Sequence, residues 1–286
     1  MLMPDQAFRS QRAGRVADQI RHLTERFGVP DYFQPWEKVA LRLGNAVGRV
    51  APGLVVPFII AKLRAETSDV ILPAEPERFR GYLEKRREDG TRLNVNQLGE
   101  AVLGEGEAQN RLEAYLELLA SPDIEYISVK ISSVFSQIHL AAYKHTLAEF
   151  KARLRKLYRE AMRHTYTKPD GTQLPKFVNL DMEEYRDLHL TLNAFMQVLD
   201  EPEFHGYRAG VVLQAYLPDE AKAQRVLTDW ALARVEAGGA PIKLRIVKGA
   251  NLAMEQVEAS IHGWEQAPYR SKHEVDANFK RMVTYG

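Results

Sequence analysis

Gly210-Val211-Val212-Leu213-Gln214-Ala215-Tyr216, then an amphipathic stretch from Pro218 to Val235, then Ile242-Lys243-Leu244-Arg245-Ile246-Val247, form one period of a repeating rhythm. A short β-prone run precedes a helix-length stretch, and another short run follows. The rhythm extends back toward the N-terminus. Earlier runs lie at Leu93–Leu98, Tyr126–Ile131 and Phe177–Leu180, separated by amphipathic stretches at Gly106–Ala120, Ala142–Thr165 and Glu183–Leu199. Three of the four strand-to-strand intervals have the length that one strand–helix unit needs, roughly 30 residues. The interval after Tyr126–Ile131 is longer and holds Lys168-Pro169-Asp170-Gly171, a turn sequence that predicts an insertion.

Alternating strands and helices predict a parallel sheet with helices outside it. A doubly wound open sheet would carry a Gly-rich phosphate turn directly after its first strand. Gly99-Glu100-Ala101-Val102-Leu103-Gly104 has the wrong spacing for one. The expected class is therefore α/β, a (β/α)8 TIM-type barrel of which about five units are present, over residues 91–286. A helical arm, residues 1–90, precedes it. There Pro35, ahead of Trp36-Glu37, suits a helix first turn, because proline lacks the donor that is unpaired at that position anyway. Val39, Leu41, Leu43 and Val47 supply a rough apolar face, and Glu77–Glu88 reads as a solvated helix.

Lys plus Arg total 39 against 38 Asp plus Glu, so bulk charge gives no argument for nucleic acid as a partner. With no cysteine, disulfides, thiolate metal sites and a cysteine nucleophile are excluded. No two histidines have the His-x-x-x-His spacing, and no metal is expected. The first residues lack a signal-peptide core, and the longest apolar run, Leu54–Ala61, contains Pro57 and is too short to span a bilayer. The expectation is a cytoplasmic protein, at most peripheral to the inner membrane face.

Strands of a parallel sheet are covered on both faces and should read as nearly continuous aliphatics. Four of these runs break that rule near their C-terminal ends, where barrels place catalytic groups. Lys130 lies in Ile127-Ser128-Val129-Lys130-Ile131-Ser132, where alternation sets Ser128, Lys130 and Ser132 on one face. The bland account is a lysine that snorkels to solvent. Asp181 ends Phe177-Val178-Asn179-Leu180-Asp181, and its bland account is a helix N-cap, with Glu183 and Glu184 in the first turn. Gln214 interrupts a greasy run and needs partners, because an unpaired buried amide costs about 1–3 kcal/mol. Arg245 is expensive to bury without an anion, and a structural ion pair would satisfy it as well as a ligand. Lys248-Gly249-Ala250 follows, and a residue without Cβ lets the backbone approach a ligand. Each signal is weak alone. Together they predict one barrel mouth with two cations facing a carboxylate.

Ser128-Val129-Lys130-Ile131-Ser132, Asn179-Leu180-Asp181-Met182-Glu183-Glu184, Leu213-Gln214-Ala215-Tyr216 and Arg245-Ile246-Val247-Lys248-Gly249-Ala250 occur in order on successive strands. In this the chain resembles the FAD-dependent proline dehydrogenases, especially those fused to a pyrroline-5-carboxylate dehydrogenase domain in bacteria. The resemblance covers about Asn94 to Met282. It implies oxidation of L-proline to 1-pyrroline-5-carboxylate, with electrons passed to quinone. By the same resemblance Lys130 would bind the substrate carboxylate, and Glu100 would pair with a substrate-binding arginine. Asp181 and Arg245 would form the catalytic centre. Met182, Gln214, Arg245, Lys248, Gly249 and Ala250 would hold FAD, with Lys272 and Asp276 nearby.

The departures bear on specificity. The family's paired arginines on the last barrel helix have no matching segment. Asn251 stands where some members carry an aromatic residue, and Phe279 where some carry tyrosine. Five units imply a barrel that ends before closure, with two open sheet edges, and weak activity of the chain by itself. The residues alone leave open a Schiff-base lyase or aldolase using Lys130 or Lys248, or an inactive scaffold.

Overall fold

In the computed structural model, residues 10, 12–29, 33–48, 50–67, 75–97, 102–168 and 170–286 are described. Met1–Lys85 and Arg86–Gly286 form two compact units.

The first unit is helical: α1 Ala13–Phe27, α2 Pro35–Val47, α3 Pro52–Thr67 and α4 Pro76–Glu88, the last running across the boundary. Proline opens three of these helices, where a missing N–H costs nothing. The core here is small. Val16 and Ile20 of α1 meet Val56 of α3, with Leu41, Ile59 and Ile60 packed around them. Of the apolar face expected on α2, only Leu41 joins this core; Val39, Leu43 and Val47 are exposed.

The second unit carries the sheet. Its strands are β1 Asn94–Asn96, β2 Tyr126–Lys130, β5 Phe177–Asp181, β6 Gly210–Gln214 and β7 Lys243–Val247, all parallel and in the order β1-β2-β5-β6-β7. This is the parallel sheet of a (β/α) barrel, five strands wide among the described residues. Between the strands run α5 Glu105–Ala120, the single turn α6 Ile131–Val134, α7 Tyr143–Arg163, α8 Leu188–Leu199 and α9 Glu220–Glu236; α10 Leu252–His262 and α11 Lys272–Tyr285 follow β7.

Alternation decides which side chains reach the helices. Ile127, Val129, Val178, Leu180, Val211 and Leu213 are fully buried. α5 buries Ala108, Leu112, Tyr115 and Leu119, spaced three and four apart so that they share one stripe. The residues between the buried aliphatics, Ser128, Lys130, Asn179, Asp181, Val212, Gln214 and Arg245, occupy the other face of the sheet.

The predicted insertion is a two-stranded antiparallel hairpin, β3 Thr165–Thr167 and β4 Gln173–Pro175. Gly171 takes φ 82°, which glycine adopts without a Cβ penalty, and its N–H donates to Lys168 O at 2.9 Å. The Asp170 carboxylate accepts from Thr172 N at 2.9 Å and closes the turn from its other side.

Three local expectations are corrected. Ile131 and Ser132 leave the strand and form the α6 turn, so Ser132 does not continue the Ser128–Lys130 face. Asp181 caps no helix: it is the last residue of β5, and the next helical residues are Tyr185–Asp187. Glu183 and Glu184 accordingly lie in a connecting loop, not in a first turn. No described helix is long and apolar enough to cross a membrane.

Candidate active site

The C-terminal ends of β2, β5, β6 and β7 meet at one cavity of about 430 Å³. Lys130 comes from β2, Asp181 from β5 with Met182 beyond it, Gln214 from β6 and Arg245 from β7; Lys248, Gly249 and Ala250 line the same space. All the sequence-predicted site residues but one are brought together. Glu100 lies outside the described residues.

Asp181 is the hub. Its Oδ1 accepts from Arg245 Nη2 at 2.6 Å and from Asn179 Nδ2 at 3.0 Å, while Oδ2 accepts from Asn96 Nδ2 at 3.0 Å. The Asp181 side chain is 10% exposed and that of Arg245 41%, so the carboxylate is enclosed and the guanidinium opens to the cavity. A charged pair with extra donors on its carboxylate meets the condition under which burying an ion is tolerable. Arg245 Nε is buried without a partner, so only one end of the guanidinium is engaged by protein.

The amide layer beneath Asp181 is continuous. Asn94 Nδ2 donates to Ser128 Oγ at 2.8 Å, and Asn179 Nδ2 reaches the same oxygen at 3.3 Å. Asn96 and Asn179 were not singled out from the sequence. The available signal was the alternation that places Asn179 on the same face as Asp181 and repeats polar residues through Asn94 and Asn96.

Glu183 is the third residue the sequence did not reveal. It receives the Ser132 hydroxyl at 2.5 Å and the Ser132 N–H at 3.3 Å, and it pairs with Lys130 Nζ at 3.4 Å. Its backbone carbonyl accepts from Gln214 Nε2 at 2.8 Å, which fixes the plane of that nearly buried amide. One loop residue thus orients two of the predicted site side chains.

Lys248 Nζ binds Asp276 Oδ1 at 2.5 Å, and Lys272 Nζ binds the other oxygen at 2.5 Å. Hydrogen bonds from the two ammonium groups push the Asp276 carboxyl down to about 2. The cations that line the cavity, Lys130, Arg245 and Lys248, are therefore each matched by a carboxylate.

Gly249 has φ +111°, and a Cβ there would sit 1.8 Å from Tyr216 Cδ1. The space beside this glycine is filled by the tyrosine ring. Tyr216 N donates to Lys248 O at 2.9 Å, and Ala215 N to Val247 O at 2.8 Å, so β6–β7 pairing continues past the strands and clamps Gln214–Tyr216 beside Lys248-Gly249. Glu220, the first residue of α9, is fully buried with neither oxygen hydrogen-bonded, and burial pushes it up to about 8.

Residues 79–286 match the proline dehydrogenase family. The bifunctional protein PutA of Escherichia coli K12 is 26% identical over 207 residues, which are 68% of this chain and 15% of that protein. The structure of proline utilization A from Corynebacterium freiburgense is 44% identical, with a TM-score of 0.72, covering 90% of this chain and 25% of the other. That of the Bdellovibrio bacteriovorus protein inactivated by N-propargylglycine is 29% identical, with a TM-score of 0.71, covering 99% and 30%. The chain thus spans less than a third of each of these relatives. The four strand motifs lie within the matched region, and their side chains meet in one cavity of a parallel (β/α)-barrel sheet; this chain belongs to the proline dehydrogenase family, a family of flavoenzymes.

Proposed function

We propose that this chain carries the cofactor- and substrate-facing wall of an FAD-dependent proline dehydrogenase, which oxidises L-proline to 1-pyrroline-5-carboxylate and passes the electrons to quinone. The observation that carries this reading is the Arg245–Asp181 pair at the centre of a cavity that also gathers Lys130, Gln214 and Lys248.

The residues present fit a flavin. Arg245 turns a half-exposed guanidinium toward the cavity, which suits an electron-rich ring edge. The Gln214 amide is already oriented, and Lys248 offers a held cation beside Gly249 and Ala250. FAD, when bound, supplies the two-electron acceptor for oxidation at the carbon beside the proline nitrogen.

What the chain itself does is largely electrostatic. Asp181 holds Arg245 in place before reaction, so its positive charge needs no rearrangement as negative charge develops opposite it. Lys130 offers an ammonium to the substrate carboxylate and fixes the ring's position. Glu183 keeps that ammonium in the cavity but also competes for it, so capture of the substrate exchanges one carboxylate for another. We further propose weak turnover from the chain by itself, because its five parallel strands leave two open sheet edges among the described residues. Met182, 7% exposed, adds an apolar surface next to Asp181. A Schiff-base role for Lys130 or Lys248 is disfavoured, because carboxylates hold both ammonium groups and such chemistry needs a free amine. A fused pyrroline-5-carboxylate dehydrogenase domain and a cytoplasmic, membrane-peripheral setting belong to the same proposal.

The test is an anaerobic L-proline titration of the FAD-loaded chain, followed by visible absorption. Saturable bleaching of the oxidised flavin bands is expected. A flavin-loaded protein that does not bleach overturns proline as substrate, and a chain that takes up no FAD overturns the cofactor assignment.

A further inference from the structure

The hairpin β3–β4 has no part in the site above. It stands at the opposite, N-terminal end of the strands, beside a larger cavity of about 760 Å³. The first residues of β1, β2, β5 and β7, namely Asn94, Tyr126, Phe177 and Lys243, line that cavity, and the hairpin contributes Tyr166, Lys168, Leu174 and Pro175.

Its charge is one-sided. The basic lining residues are Arg92, Lys168, Arg208 and Lys243, and the only acid among the lining residues is Glu125. Glu125 is taken by Arg92 at 2.9 Å. Lys168, Arg208 and Lys243 form no ion pair among the described residues, and the carboxylate near Lys168, Asp170, is engaged by Thr172 N in the hairpin turn. This is the reverse of the catalytic cavity, where each lining cation has its own carboxylate.

Aromatic faces hold two of the cations in place. Lys243 Nζ lies 5.1 Å from the Tyr126 ring centre and 5.9 Å from that of Phe177, two rings that meet edge to face at 4.9 Å. The Arg92 guanidinium lies 4.8 Å from the Tyr166 ring centre. Such contacts contribute about 0.5–1 kcal/mol at exposed sites and keep a cation beside the ring. They supply no counter-charge.

We propose that this cavity binds a small organic polyanion, a di- or triphosphate or a di- or tricarboxylate, at a site remote from the catalytic one and walled on one side by the β3–β4 insertion. An anion with two or more charges can engage Lys168, Arg208 and Lys243 together, which no single carboxylate of the protein does. The inference uses neither flavin nor proline, so its failure would leave the proposed reaction untouched.

The test is calorimetric titration of the chain with inorganic pyrophosphate and, separately, with citrate, at low and moderate salt. One saturable site is expected for at least one probe, weakening as salt rises. The probe that binds identifies the anion as phosphate or carboxylate. Lys168→Glu and Arg208→Glu should each weaken it about tenfold or more. They lie on separate elements, so misfolding of one leaves the other informative. Lys222→Glu, an exposed α9 residue already paired with Asp219 at 3.0 Å, should leave binding unchanged. No saturable heat from either probe into the millimolar range would overturn the proposal, as would equal weakening by Lys222→Glu.

Discussion

Arg245 Nη2 reaches Asp181 Oδ1 at 2.6 Å although their strands are not neighbours: β6 lies between β5 and β7, and Val212 is the register partner of Arg245 on it. Adjacent strands are about 4.8 Å apart, so the pair bridges two strand spacings. The long arm of Arg245, on the same face of a curved sheet as Asp181, makes this reach possible. The pair is a chord across the arc of β5, β6 and β7.

Asp181→Ala removes the acceptor for Arg245, Asn96 and Asn179 together. Stability measured by urea denaturation should fall by about 1–3 kcal/mol, the range for stranded buried donors, and proline-dependent flavin reduction should drop by about a hundredfold or more. Unchanged reduction kinetics would remove Asp181 from the catalytic centre.

Lys130→Met should raise the proline concentration needed for half-maximal flavin reduction about tenfold or more, with a smaller effect on the limiting rate, because the loss is in substrate binding. Glu183→Gln frees the ammonium and disturbs the Gln214 anchor loop; its expected signature is a change in the flavin absorption spectrum as well as in proline affinity. If Lys130→Met altered only the limiting rate, the carboxylate-anchor role would be wrong.

Gly249→Ala meets two penalties, a Cβ inside the Tyr216 ring and a φ of +111°. Together they should destabilise the chain by about 2–4 kcal/mol. The double variant Tyr216→Ala/Gly249→Ala should be less damaged than the two single effects added, since the clash disappears while the backbone strain remains. Strict additivity in denaturation experiments would show that the ring contact is unimportant.

Glu220 yields a pH prediction. Its folded-state value is raised to about 8, while an unfolded glutamate ionises near 4.3. Between these values the folded state holds a proton that the unfolded state has lost, so stability falls as pH rises through this window and levels off above about 8. Glu220→Gln removes that slope. Relative to the parent chain, the variant should gain on the order of 5 kcal/mol between pH 4 and pH 9. Parallel stability–pH curves for the two proteins would show that the carboxyl is solvated or paired.

The large features were legible because they follow from burial on both faces of a parallel sheet. Polar residues such as Lys130, Asp181, Gln214 and Arg245 stood out against continuous aliphatics, and the structure brings them together in one cavity. Local chemistry misled where one residue type serves two purposes. Asp181 followed by Glu183 and Glu184 has the composition of a helix start, yet three donors from β1, β5 and β7 keep the aspartate on the sheet face. The strands of the hairpin are three residues each and too short to show a period; only their turn was visible. The Glu183 role needed the folded loop, because its partners Lys130 and Ser132 lie some fifty residues away. The Gly249–Tyr216 contact likewise joins two separate strand ends.

The pairing of cations and carboxylates in the cavity around Arg245 has a kinetic consequence. Charges that cancel within one cavity project little field beyond its rim, so they cannot steer a charged molecule from a distance. Proline, the proposed substrate, is at neutral pH a zwitterion without net charge, and its association rate should change little with ionic strength. At the other end of the same strands, where four basic residues and one acid line the cavity, the field does extend into solvent. Salt therefore separates the two ends of the sheet: it should leave encounter with the substrate almost untouched and slow the arrival of anions at the underside.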